Sequence, residues 1–254
     1  ITCFSFQYAS VIEYLKLIKS INKDIITVLG GSHASALAKE ILSVEQNLDY
    51  IISGEGELSF PLLIENLYNA GDLKNIPGLV FRENGVINSN NQNFIQNLDS
   101  LEYPWKVINP LDYQSAKIHG FTCREKPIAP VISSRGCPYL CGFCAGRTVQ
   151  GSKIRLRTPL KFVDEIEFLN KQFGIKEIQI ADDNFTFNKE HAIKICNEII
   201  NRKLKIAWSL PNGVRADKLD EELLRTMKVA GCYYLALGIE FGSKRMLEIT
   251  KKSL

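Results

Sequence analysis

The strongest constraint on this chain is the alternation of short apolar runs with longer amphipathic ones in its C-terminal half. "APVISSRG" is a strand. "KFVDEIEFLNKQFG" is a helix ended by Gly174, "KEIQIADDN" a strand and "KEHAIKICNEIINRK" a helix. "KIAWSLPNG" is a strand, "LDEELLRTMKVAG" a helix and "CYYLALGIEFG" a strand. A helix between successive strands returns the chain to the same end of the sheet, so the strands pair in parallel. Four strands and three full helices predict half of a βα barrel or a half-open parallel sheet.

Residues 1–70 have the same rhythm. "ITCFSF" reads as a strand, "SVIEYLKLIKSI" as an amphipathic helix and "DIITVLGG" as a buried strand ending in two glycines. "SALAKEILSV" is helical, "DYIISGEGE" is a strand running into a glycine turn, and "LSFPLLIENLYNAG" is a helix closed by Gly71. Between the halves, "GLVFRENGVINSN" predicts a hairpin at Asn84-Gly85, a favoured turn pair. The segment around Pro104, Pro110 and Pro127 reads as a connector. The expected organisation is a first domain over 1–72, a connector over 73–127 and a second domain over 128–254. The chain opens on a strand at Ile1 and closes on "SKRMLEITKKSL", a helix hardly begun. This suggests a fragment cut inside a domain at each end.

With 254 residues, 45% of them hydrophobic and 23% charged, the chain can bury a sizeable core. A net charge of +3 is too weak a bias to imply nucleic acid. No run approaches the roughly 18 apolar residues of a membrane helix. Seven cysteines, an odd count, argue against a disulfide framework and for a reducing, cytoplasmic setting. Cys196 on an apolar helical face, Cys232 at a strand entry and Cys3 read as core thiols; Cys123 is undecided.

Three cysteines remain: Cys137, Cys141 and Cys144, spaced CxxxCxxC in "SSRGCPYLCGFCAG". Zinc normally takes four ligands from paired CxxC units. Here the fourth would have to be a sequence-distant His119 or His191. An iron–sulfur cluster fits better, because thiolates are its usual ligands and three leave one iron of four open. Gly136, Pro138 and Gly142 suit a tight loop, and loops after the strands of βα barrels carry active sites.

CxxxCxxC after the first strand of a βα barrel, with Phe143 as the aromatic residue before the third cysteine, resembles the radical S-adenosylmethionine (radical SAM) enzymes over residues 128–254. The resemblance implies a 4Fe–4S cluster on Cys137, Cys141 and Cys144 whose open iron chelates S-adenosylmethionine. Electron transfer then cleaves that cofactor to a 5′-deoxyadenosyl radical. Phe143 and "ADDN" (Asp182, Asp183, Asn184) fall where the family places cofactor contacts, although the family often has Gly-Gly-Glu at the latter. The alternative for Asn184 is a helix cap before "FNKEHA". Arg215 in "NGVRAD" is expected to meet a carboxylate and Glu240 in "GIEFGS" to accept from ribose or amine, with a surface ion pair the alternative for each. The basic run "KIRLRTP" (Lys153, Arg155, Arg157) reads as a solvated loop face.

"VLGGSHAS" followed by "YIISGEGELSF" resembles the later part of a cobalamin-binding domain fused ahead of such a barrel. Ligands of parallel sheets sit at the carboxyl ends of strands, where glycine lets backbone come close. The resemblance implies that Ser5, Gly30, Gly31, Gly54, Glu55 and Gly56 line the pocket for the nucleotide tail. The Asp-x-His-x-x-Gly motif of some relatives is not present, and His33 is not read as a cobalt ligand. The expected fold is α/β, a partial Rossmann-like cobalamin-binding domain followed by a partial radical SAM barrel. The expected function is a cobalamin-dependent methyltransferase or radical cyclase or rearrangement enzyme. Its substrate would be a small molecule or peptide and its electron donor a flavodoxin or ferredoxin. The rivals are a transfer-RNA-modifying radical SAM enzyme, against which the weak charge argues, and a non-catalytic cobalamin or cluster sensor.

Overall fold

The computed structural model describes residues 1–114, 117–118 and 121–252; His119 lies outside them. The chain divides into two compact units, Ile1–Gln96 with Cys144–Ser152, and Asn97–Phe143 with Lys153–Leu254.

The first unit contains α1 (Tyr8–Ile21), β1 (Val28–Leu29), α2 (Ser32–Ala36), α3 (Ala38–Val44), β2 (Tyr50–Ile52), α4 (Gly56–Tyr68), β3 (Leu79–Glu83), β4 (Val86–Ser89) and α5 (Gly146–Gln150). Its sheet runs β1-β2-β3-β4. The first pair is parallel, and the hairpin adds two antiparallel strands. Asn84 and Gly85 both take positive φ, at 52° and 78°, as the turn pair predicts. The hairpin, read as part of a connector, thus extends the first sheet. Leu15, Leu29, Leu42, Leu48 and Ile51 form the core on one side, and Leu63, Leu79 and Phe81 pack together in a second cluster. The Arg82 guanidinium donates to the carbonyls of Leu42, Leu48 and Glu45, which closes the end of α3.

"ITCFSF" is not a strand beyond one residue. Thr2 bridges Gly30 in parallel, and the chain then turns into a 3-10 helix over Ser5–Gln7. The Gln7 carboxamide accepts from the Phe4 N–H at 3.1 Å, which competes with extended backbone. The expected helix "SALAKEILSV" breaks at Leu37 (φ −129°, ψ 34°) into α2 and α3.

The second unit carries β5 (Ile128–Val131), α6 (Pro159–Phe173), β6 (Glu177–Ile180), α7 (Lys189–Asn201), β7 (Ala207–Val214), α8 (Glu221–Val229), β8 (Cys232–Leu237) and α9 (Lys244–Ile249). The sheet order is β8-β7-β6-β5, parallel throughout. Each helix has its stop or start in the sequence. Thr158 caps α6 with Pro159 behind it, Gly174 ends α6 in the left-handed region, and Asn188 and Asp220 cap α7 and α8. Ile178, Ile180, Trp208, Phe162, Val163 and Ile195 are core residues shared by sheet and helices. By strand alternation, Glu177 and Gln179 therefore point to the opposite face. Among the described residues no helix is long and apolar enough to cross a membrane.

Of the basic run only Lys153 is solvated. Arg155 and Arg157 are buried. Arg157 pairs with Glu165 of α6, whose other oxygen accepts from Trp105 Nε1 at 2.6 Å, and its guanidinium lies over the rings of Tyr103 and Phe162. Burial is tolerated because the charge is paired.

Candidate functional site

The cysteine loop leaves β5 through Ser133 and Ser134, and the end of β6 seizes it there. Asp182, only 3% exposed, accepts from the Ser133 N–H at 2.7 Å, the Ser133 hydroxyl at 2.5 Å and the Ser134 hydroxyl at 2.6 Å. Burial pushes the Asp182 carboxyl above its ordinary range, partly offset by these donors. Both oxygens are occupied within the fold, so Asp182 does not present a free carboxylate to a cofactor as the sequence suggested. Asp183 does. Its Oδ2 is buried without a hydrogen-bond partner. Burial raises this carboxyl too, with the Asp182 charge adding to it and the Gly136 N–H opposing. Asn184 is 5% exposed, and its Nδ2 is also without a partner. It makes no cap bond, and the helix cap is Asn188, whose side chain accepts from the His191 N–H. The run after β6 therefore offers one unused acceptor and one unused donor.

The middle of the loop is held by residues just after β7 and just after α9. The Arg215 guanidinium sits 3.8 Å from the centroid of the Tyr139 ring, and its nitrogens donate to Asp217 Oδ1 at 2.9 Å and the Lys252 carbonyl at 2.6 Å. Arg215 is thus engaged in the fold, against the expectation that it meets a ligand's carboxylate. The Gly142 N–H donates to the Thr250 carbonyl at 2.8 Å. Glu240, at a left-handed φ of 65°, pairs with Lys252 at 3.1 Å, which is the ion-pair alternative. Phe143 is half exposed and meets Phe241 edge-on at 6.4 Å.

Residues 136–145 form neither helix nor strand. Cys137 and Cys141 are half-buried, Cys144 is exposed, and none is in a disulfide. Among the described residues no three His, Cys, Asp or Glu side chains stand close enough together to hold a metal ion. The donor set still fits an iron–sulfur cluster. It consists of three thiols with no imidazole or carboxylate among them, on backbone that is neither helix nor strand. Of the two histidines open to the zinc reading, His191 is engaged elsewhere, its Nε2 bonded to the Arg157 carbonyl at 2.8 Å inside the fold, and His119 lies outside the described residues. Burial pushes the Cys196 and Cys232 thiols up to about 12 and raises Cys3, as core thiols require.

In the first unit the predicted glycines do gather at the carboxyl ends of β1 and β2. Ser35, which the sequence reading missed, links them. Its hydroxyl donates to the Gly31 carbonyl at 2.8 Å and accepts from the Gly54 N–H at 2.9 Å. Gln92, also missed, donates to the Ser53 hydroxyl at 2.7 Å. Gly31 (φ 92°) serves the fold, because a Cβ there would lie 2.6 Å from Thr2 Oγ1 and 2.8 Å from the Cys3 nitrogen. Gly30 has ordinary room, whereas a Cβ on Gly56 would meet nothing within 4 Å. Glu55 is turned inward, where its Oε2 accepts from the Ile95 N–H at 2.9 Å. Ser5 is exposed and bonded to His33 Nδ1 at 3.0 Å.

Comparison with known proteins agrees with both halves. Residues 131–253 match the Radical SAM superfamily, and residues 1–64 match the B12 binding domain. An uncharacterized methyltransferase of Pyrococcus horikoshii is 33% identical over 94% of this chain and 50% of its own length. An anaerobic magnesium-protoporphyrin IX monomethyl ester cyclase of Rubrivivax gelatinosus is 29% identical over 94% of this chain and 42% of its own. The solved structure of the cobalamin-dependent S-adenosylmethionine radical enzyme OxsB, with aqua-cobalamin and S-adenosylmethionine bound, superposes with a TM-score of 0.81. That match covers 100% of this chain and 37% of OxsB at 24% identity, a likeness of fold. The chain spans about half the length of the curated relatives it matches. With the two domain families following one another along a single sequence, the chain belongs to the radical SAM superfamily, in the subgroup that carries a cobalamin-binding domain ahead of the barrel.

Proposed function

We propose that this chain is the cofactor-binding part of a cobalamin-dependent radical SAM enzyme, a methyltransferase or radical cyclase acting on a small molecule. The observation that carries the reading is the disulfide-free CxxxCxxC loop that leaves the first strand of a parallel sheet and is pinned by carboxylates at the end of the next strand. Cys137, Cys141 and Cys144 would hold a 4Fe–4S cluster. When bound, that cluster supplies the electron for reductive cleavage of S-adenosylmethionine, and cobalamin supplies a carrier for one-carbon or radical chemistry. Asp183 and Asn184, with an unused acceptor and donor, suit the ammonium and carboxylate of the methionyl end. Phe143 offers an exposed ring face to the adenine. The Gly30 and Gly54–Gly56 turns would border the cobalamin tail. The enzyme would work in the cytoplasm, with a reduced flavodoxin or ferredoxin as electron donor.

The test is anaerobic reconstitution of the full-length protein, with iron counts and chromatography of 5′-deoxyadenosine under a strong reductant. About four irons per chain are expected for one cluster, with product formation abolished by Cys→Ala at 137, 141 or 144. Product at the wild-type rate from the triple variant ends the reading. Cluster binding without cleavage points to the sensor alternative, and a salt-dependent shift with transfer RNA points to the RNA-modifying one.

A further inference from the structure

Tyr139 lies midway between Cys137 and Cys141, and its ring is held on two sides. The Arg215 guanidinium is stacked at 3.8 Å from its centroid, and Phe187 meets it edge-on at 6.0 Å. The guanidinium cannot swing freely. Its side chain is 6% exposed, Nε donates to Asp217 Oδ1, and another nitrogen donates to the Lys252 carbonyl. A planar, permanently charged, weakly hydrated group fixed along its edge presents its flat face to the ring.

We infer that Arg215 is a positioning residue for the cysteine loop, acting through the ring of Tyr139, and not a ligand of the cofactor's carboxylate. The inference rests on the cluster reading above. Three thiolates must engage one cluster together, and a free Cys137–Cys141 span would have to be ordered at that moment. Ordering the span beforehand removes that entropic cost from loading. The arrangement also explains why a charged side chain at the end of β7 is buried with nothing left over for a ligand's carboxylate to displace cheaply.

The test uses the full-length protein, loaded anaerobically with iron and sulfide and then challenged with a chelator. Iron content and the electron paramagnetic resonance signal of the reduced cluster are followed, and circular dichroism before loading reports folding. Tyr139→Phe should match wild type, since only the ring is needed. Tyr139→Leu and Arg215→Met should each lose iron several-fold faster. The double variant should be no worse than Arg215→Met alone, the non-additivity expected of residues acting as a unit. Clusters retained by Arg215→Met should still change their signal when S-adenosylmethionine is added. If Arg215→Met fails to fold, Tyr139→Leu carries the test alone, because Tyr139 is only half-buried. Wild-type iron retention in Tyr139→Leu, additive losses in the double variant, or a normal cluster in Arg215→Met that no longer responds to S-adenosylmethionine would each overturn the inference. A wild-type chain that takes up no iron, or Cys141→Ala with full iron, would overturn the cluster reading and this inference with it.

Discussion

Replacing Asp182 by Ala should be the most damaging single change in the second unit outside its apolar core. The side chain accepts hydrogen bonds from the Ser133 N–H and the hydroxyls of Ser133 and Ser134, and those residues are 0% and 4% exposed. A buried donor left without an acceptor costs about 1–3 kcal/mol. The two hydroxyls can rotate toward other acceptors and the backbone N–H cannot, so the expected total is about 3–5 kcal/mol. That is a large share of the roughly 5–15 kcal/mol by which domains are stable. Asp182→Asn keeps one oxygen, and a serine hydroxyl can turn to accept from the new amide, so it should cost about 1–2 kcal/mol. Urea unfolding followed by tryptophan fluorescence measures this directly, because Trp105 and Trp208 both lie in the second unit and Trp208 is 1% exposed. The midpoint should fall with the slope unchanged. Asp182→Ala within about 1 kcal/mol of wild type, or Asp182→Asn as damaging as Asp182→Ala, would show that the carboxylate does not hold the loop.

Three further outcomes follow from other groups. Cys196 and Cys232, at about 12, are thiolate in roughly one molecule in ten thousand at pH 8. Iodoacetamide on cluster-free protein should therefore modify Cys141 and Cys144 long before them by mass spectrometry, and early labelling of Cys196 would contradict the packing. Gln179 is 2% exposed with an unpartnered Oε1, so Gln179→Leu should raise stability by about 1 kcal/mol in the same urea assay; a loss would mean that the amide has a partner. Burial would raise the Asp49 carboxyl, but hydrogen bonds from Lys19 and Thr27 outweigh it and hold its pKa below the ordinary value. A depressed folded pKa means stability that is present above the ordinary carboxylate value and lost as pH falls through the folded one. Asp49→Asn should thus destabilise at neutral pH and approach wild type below about pH 4, and a deficit that persists in acid would exclude the ion pair as its cause.

The strand–helix rhythm of the second unit was legible because each element carries a local stop or start, such as Thr158-Pro159, Gly174 and Asp220. The Asn84-Gly85 turn was legible for the same reason. What escaped depends on partners distant in sequence. Asp182 reads as a ligand until Ser133 and Ser134, almost fifty residues earlier, take up its oxygens. Arg157 reads as solvated until Glu165 and the rings of Tyr103 and Phe162 surround it. Arg215 and Glu240 looked open to a cofactor because nothing local marks Tyr139 or Lys252 as their partners. "ITCFSF" shows the converse, where a local bond donated by the Phe4 N–H to the Gln7 side chain defeats an extended pattern.

The order β5-β6-β7-β8 matches the order of synthesis, and each strand pairs with its immediate predecessor. No strand waits for a later one to open a slot. As the chain leaves the ribosome, each new βα unit finds the surface it needs already made, at the growing edge of the sheet. The cysteine loop is also made before its anchor at Asp182, so its entry is locked only when the second strand of that sheet docks.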